Sequence, residues 1–219
     1  MKKTGIKSFY RRNLPHYQPE HSIFFVTFRL TGSLPSSVIS RLKEAYAKDI
    51  KILDKITDIK KRKEKIYLAQ KRYFGKFDNL LDGSDQGPVW LKDDEIASIV
   101  YNAILFYDAD KYDVYCFCIM PNHVHMLFFM AGVDKSITEV KNSYYIVTNS
   151  LQSLKKYTAG KANKVLTKTG EFWQHESYDH VVRNKRELEN IYNYILQNPV
   201  KAGLVNNWRD WKWTYSKFE

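Results

Sequence analysis

The tract Cys118-Ile119-Met120-Pro121-Asn122-His123-Val124-His125-Met126-Leu127-Phe128 sets two histidines one residue apart at the head of an apolar run. Side chains of a strand alternate between faces, so His123 and His125 point the same way, roughly 6.5 Å apart along the chain. Two neutral imidazoles so placed can hold one divalent ion. A strand histidine is also an ordinary core or surface residue, so the pair needs support from elsewhere in the chain. Near the C-terminus, Leu188, Ile191, Tyr192, Ile195 and Leu196 recur at helical spacing, while Glu187, Asn190, Tyr194 and Asn198 fall on the opposite flank. Tyr194 and Asn198 stand at i and i+4, which lets a phenol and a carboxamide oxygen face one target. Asn198 precedes Pro199, and a residue in that place is biased out of helical geometry; Pro199 is expected to end the helix.

The elements that must position these groups follow from the pattern. His21 to Leu30 reads as a first strand, closed by Thr31-Gly32-Ser33. Residues 36–77 read as a long, broken helix with a heavily charged outer face, ended by the Gly- and Asp-rich stretch 82–88. Asp93 or Asp94 opens another helix. Tyr112 to Met120 and His123 to Ala131 form two strands joined by Pro121-Asn122, which puts the histidines at the mouth of a hairpin where a ligand can reach them. Val147 to Leu166 is helical, Tyr178 to Arg183 is a fourth strand, and Asn184 with Glu187 makes a capping box for the last helix. Strand, helix, two strands, helix, strand is the order of an α+β, ferredoxin-like βαββαβ sandwich with an extra C-terminal helix. One domain over residues 1–219 is expected, carrying a basic helical insertion at about 36–80.

Composition narrows the function. The chain has 219 residues, 44% hydrophobic, with no run long enough to span a membrane and no cleavage-like leader, so a cytoplasmic protein is expected. Cys116 and Cys118 are the only cysteines and read as reduced core residues. The net charge of +11 is concentrated: residues 41–78 hold 13 Lys/Arg against 6 Asp/Glu, and residues 1–20 hold 5 against 1. These two excesses, +7 and +4, equal the whole, and such fields attract phosphate backbones. No Gly-x-x-x-x-Gly-Lys-Ser/Thr motif is present, so no nucleotide cofactor is expected.

The order of several motifs then carries a resemblance. Arg11-Arg12-Asn13-Leu14-Pro15-His16, Phe25-Val26-Thr27-Phe28-Arg29-Leu30, the Pro-Asn-His-Val-His tract, Phe172-Trp173-Gln174, Tyr178-Asp179-His180-Val181-Val182-Arg183, and the run from Tyr194 through Asn198-Pro199-Val200-Lys201-Ala202-Gly203 to Val205 resemble the REP-associated tyrosine transposases. These are bacterial relatives of the IS200/IS605 single-strand transposases, and the likeness runs from about residue 11 to residue 213. It implies the HUH nuclease fold, with His123 and His125 as the histidine pair, Tyr194 as nucleophile and Asn198 as third metal ligand. Tyr192 is the next candidate nucleophile, and His16, His175 and His180 are left without a metal role. The long charged segment 41–78 departs from the shortest members of the family.

The chemistry so implied is cleavage and rejoining of single-stranded, hairpin-forming repeat DNA through a 5′-phosphotyrosine. A phenol titrates near pH 10, so Tyr194 needs nearby positive charge to act as phenolate. Two imidazoles and an amide oxygen suit Mn²⁺ better than Mg²⁺, with activity expected on either. Neutral histidines are required, so affinity is expected to fall below about pH 6.5. Arg11, Arg12, Lys155, Lys156, Trp173, Arg183 and Lys201 are candidate DNA contacts, the tryptophan by stacking on an unpaired base. The competing readings are a non-cleaving, domesticated DNA-binding protein on the same fold and an HUH initiator of plasmid replication or conjugation. Whether the protein is a monomer or homodimer is not written in the sequence.

Overall fold

A computed structural model describes residues 9–11, 15–83, 87–131 and 145–219. Two short strands, β1 (Phe9–Arg11) and β2 (Pro15–Tyr17), pair antiparallel as a small separate sheet. The chain then divides into two compact units: Thr31–Val89, and the remainder formed by Met1–Leu30 with Trp90–Glu219.

The unit of Thr31–Val89 is a helical hairpin, α1 (Ser36–Leu53) and α2 (Ile59–Asp82). The break that the sequence foreshadowed falls at residues 54–58. Asp58 caps the second helix by accepting from the Lys61 N–H at 3.0 Å, and the Arg62 guanidinium donates to the Asp54 and Ile56 carbonyls, which ties the turn shut. No residue of α1 is fully buried, whereas α2 buries Ala69, Tyr73, Asp78 and Leu81. The two helices meet through aromatics, with the Tyr46 and Tyr73 rings 4.9 Å apart.

In the other unit, α3 (Asp94–Phe106) starts at Asp93, whose carboxylate accepts from the N–H groups of Glu95 and Ile96. Strands β3 (Ser22–Arg29), β4 (Asp113–Ile119), β5 (His123–Met130), β6 (Tyr178–Val181) and β7 (Thr214–Ser216) form one antiparallel sheet in the order β6-β3-β5-β4-β7. Its first four members have the 4-1-3-2 order of a βαββαβ sandwich, with α3 and α4 (Ile146–Val165) as the two crossover helices. Alternation makes the two faces different. Phe24, Val26, Phe28, Val124, Met126 and Phe128 pack with Ile96, Val100, Ile104, Val147, Leu151 and Leu154 in an apolar core. The opposite register positions, Phe25, Thr27, His123 and His125, face the last helix, α5 (Lys185–Lys201).

Two expectations change. Pro199 does not end α5; it lies buried inside the helix, which continues to Lys201 and closes through Ala202 N–H to the Asn198 carbonyl. Proline's φ suits a helix, and only one backbone bond is forgone near an end where bonds already run out. The flank of α5 opposite its apolar stripe is also partly in the core. Glu187 and Asn198 are buried along with Ile195 and Leu196, so the sheet-facing stripe of this helix is partly polar. Strand β7 and the β1–β2 pair went unread because three residues carry no alternation to detect. Among the described residues, no helix is long and apolar enough to cross a membrane.

Candidate active site

Strand register builds the floor of the site. His125 lies opposite Thr27 on β3 and opposite Cys118 on β4, and His123 lies opposite Arg29. Both imidazoles are wholly buried, so the mouth of the hairpin is not the open edge that the sequence suggested. Each ring has a fixed partner on its inner nitrogen. His123 Nδ1 is 2.6 Å from Asn122 Oδ1, and His125 Nδ1 is 2.7 Å from Thr27 Oγ1. The outer nitrogens face each other, Nε2 to Nε2, at 2.9 Å.

These contacts define the protons. Asn122 Oδ1 can only accept, so His123 donates from Nδ1 and leaves Nε2 bare. His125 must then donate from Nε2 and accept the Thr27 hydroxyl at Nδ1. A threonine hydroxyl can donate or accept, so His125 can change tautomer without losing its partner, freeing both Nε2 lone pairs together. Ligands about 2.1 Å from one octahedral ion and at right angles to each other lie about 3 Å apart, close to the observed nitrogen separation.

Burial depresses the basicity of both rings. The His123 imidazole is pushed down to about 3, first by loss of solvent and then by the nearby Lys201 ammonium. That of His125 falls well below the usual range from burial, then from His123 and Lys201. Both are held neutral, the form that binds a metal.

Helix α5 supplies the second wall. Asn184 caps it by accepting from the Glu187 N–H at 2.9 Å, while the Glu187 carboxylate meets His180 Nε2 at 3.2 Å and the Arg183 N–H at 3.0 Å. This clasp ties the start of α5 to the end of β6. The Tyr194 ring lies 5.6 Å from that of His125 and 6.1 Å from that of Phe25, and Lys201 Nζ stands 5.7 Å from the tyrosine ring centre. Asn198 is fully buried, and neither its Oδ1 nor its Nδ2 has a hydrogen-bond partner among the described residues. An orphaned amide so deep normally costs stability, which fits an oxygen reserved for a ligand. The two neutral imidazoles, with their Nε2 atoms facing, are a donor pair of a kind that binds divalent ions.

Tyr192, the other candidate nucleophile, points elsewhere. Its hydroxyl bonds to Ser216 on β7, and burial raises its pKa, which disfavours phenolate. Cys116 and Cys118 are buried thiols outside any disulfide, and burial pushes that of Cys116 well up.

No family model matches the chain. A protein of Haemophilus influenzae named "Putative REP-associated tyrosine transposase" is 28% identical over 107 residues, covering 49% of this chain and 59% of that protein. The likeness is to REP-associated tyrosine transposases. The chain spans about three-fifths of the length of this curated relative. A solved structure described as a REP-associated tyrosine transposase bound to a REP hairpin superposes with a TM-score of 0.51 at 16% identity, covering 94% of this chain and 80% of the other. The fold is thus that of the REP tyrosine transposases.

The remaining sequence candidates divide. Arg12 lies outside the described residues, and of Arg11 only the backbone, in β1, is described. Lys155, Lys156 and Trp173 come together at a cleft of about 380 Å³ with Gln18, Gln174 and Asp179. Lys155 is already engaged, donating to the Gln174 and His175 carbonyls and to Ser177 Oγ. Trp173 is only 6% exposed, and its indole N–H donates to Thr158, so it packs as a core residue rather than a stacking platform. Arg183 is exposed at the start of the α5 clasp. Lys201 is drawn into the site itself. Thr27 was not read from the sequence, because its role depends on register with a strand 98 residues away. Asn122 had a signal in its position beside His123.

Proposed function

We propose that the protein is a metal-dependent, single-strand DNA endonuclease and strand transferase that uses Tyr194 as nucleophile on hairpin-forming repeat DNA. The observation that carries this reading is the neighbourhood of Tyr194: a half-buried phenol beside His125, itself paired with His123, with the Lys201 ammonium over its ring. The REP-transposase fold and the likeness to the Haemophilus influenzae protein support it.

His123, His125 and Asn198 would hold the ion, Mn²⁺ or Mg²⁺, whose contribution when bound is to polarise the scissile phosphate. Lys201 favours the phenolate of Tyr194 and compensates charge that builds on the phosphoryl oxygens. The phenolate oxygen forms a bond to phosphorus, the bond from phosphorus to the 3′ oxygen breaks, and that oxygen leaves as a 3′-hydroxyl after gaining a proton. The product is a 5′-phosphotyrosine, and attack by another 3′-hydroxyl reverses the exchange with no net loss of phosphodiester energy, so no nucleotide is consumed. Thr27 and Asn122 keep the imidazole nitrogens aimed inward throughout.

Covalent capture tests the proposal. The protein is incubated with labelled hairpin DNA from the sequence flanking its gene and Mn²⁺, then denatured on a gel. An adduct that is absent from Tyr194→Phe and from His123→Ala is expected. Retention of the adduct by Tyr194→Phe would reassign the nucleophile, and salt-sensitive binding without any adduct would favour a non-cleaving DNA-binding protein.

A further inference from the structure

Helix α2 carries a row of cations that neither its hairpin nor the chemistry above uses. Lys61, Lys65, Arg72 and Lys76 stand at i, i+4, i+11 and i+15, all exposed, on the side opposite the buried Leu81 and roughly a quarter-turn from Tyr73 at 100° per residue. At 100° per residue they fall within about 60° of one another and run about 22 Å along the helix. The apolar Leu68, 48% exposed, stands among them. A solvated helix face ordinarily alternates charge signs at i and i+4. Here Lys61 with Lys65 and Arg72 with Lys76 set like charges one turn apart, and no carboxylate occurs between Glu64 and Asp78. Such pairs weaken a helix, and an anionic partner would reverse that penalty.

We infer that this face of α2 is a docking surface for the paired stem of a DNA hairpin. This rests on the DNA-cleaving reading above and names which part of the substrate the helical hairpin takes. Unpaired strands are held by phosphate contacts together with aromatic rings on which bases stack. No aromatic side chain belongs to the row: the Tyr46 and Tyr73 rings are 4.9 Å apart, those of Tyr73 and Phe77 6.4 Å apart, and the half-buried Tyr67 and Phe74 fall on the far side of the helix at 100° per residue. The outer row therefore offers charge without stacking, which suits the regular phosphates of a duplex. Its length is about two-thirds of a turn of B-form DNA.

The test compares the full-length protein with Lys65→Gln/Arg72→Gln/Lys76→Gln on two oligonucleotides, a hairpin and a strand of the same unpaired sequence without the stem. The readout is the slope of log Kd against log salt, with far-UV circular dichroism as a check on helicity and the Lys65→Arg/Lys76→Arg variant as a charge-preserving control. The slope on the hairpin is expected to fall by about two to three, with the stemless strand unaffected and the arginine control retaining the parental slope. Unchanged slopes on both DNAs would show a merely solvated face and overturn the inference. Equal falls on both would also overturn it by removing the preference for the stem. Tyrosine adduct formation by the parental protein on the hairpin is scored in the same preparations, so failure of the nuclease reading, no adduct, is seen separately from failure of stem docking, unchanged slopes.

Discussion

His123 and His125 face each other through Nε2 atoms 2.9 Å apart, inside a site with no exposure to solvent. One proton between them satisfies the pair, and a bound ion would take its place, the proton shifting to His125 Nδ1 toward Thr27. Mn²⁺ is therefore expected to raise the thermal midpoint in proportion to the logarithm of its concentration above Kd, and a chelator should reverse the gain. His125→Ala should abolish the shift. A midpoint indifferent to Mn²⁺ in the parental protein would refute the site.

The protonation of His123 gives a stability profile with a definite sign. Its folded pKa, pushed down to about 3, lies below the roughly 6.5 of the unfolded chain, so the unfolded state takes up the proton first as pH falls. The contribution is complete above about pH 6.5 and is lost toward pH 3, at up to about 1.4 kcal/mol per pH unit. His125 acts in the same direction. Urea titrations at pH 7, 5.5 and 4.5 should show this decline, and His123→Gln should make it shallower. The same depression carries metal binding to lower pH than an exposed histidine pair allows, displacing the fall expected from the sequence near pH 6.5.

Thr27 partners His125 Nδ1 in either tautomer and so holds the ring in place, and its loss should be felt by the metal before it is felt by the fold. Thr27→Val keeps the shape and removes the hydroxyl 2.7 Å from Nδ1. Mn²⁺ affinity measured by calorimetry should fall roughly 10- to 100-fold, while Thr27→Ser should recover most of it.

Lys201 is expected to act on rate rather than on DNA affinity. Lys201→Gln removes the ammonium 5.7 Å from the Tyr194 ring centre, and single-turnover adduct formation should slow by roughly 100-fold. Hairpin binding should weaken by no more than one phosphate contact would supply, about one unit of salt slope. A loss confined to binding would place Lys201 among the DNA contacts alone.

Gly75 lies within α2 with nothing inside 4 Å of the position a Cβ would take. Gly75→Ala should therefore stabilise the helical hairpin by up to about 1 kcal/mol, read as a higher urea midpoint. A decrease would reveal a packing role for the bare backbone.

Sequence patterning determined the chain's elements because local rules govern them. Runs of β-branched and aromatic residues bounded by turn residues identified β3, β4 and β5, caps at Asp93 and Asn184 began two helices, and His-x-His and Tyr-x-x-x-Asn marked the polar residues now found at the sheet and on α5. Tertiary structure decided what those residues meet. The Tyr194 ring meets those of Phe25 and His125 only through the packing of α5, whose start is tied to His180 and Arg183 by Glu187, and the aim of His125 follows from its register with Thr27. Helical periodicity set the polar flank of α5 apart from its apolar stripe because apolar residues ordinarily mark the buried face. A site built for polar chemistry breaks that rule: it buries the amide of Asn198 and the carboxylate of Glu187 beside Ile195, and only long-range packing reveals the exchange.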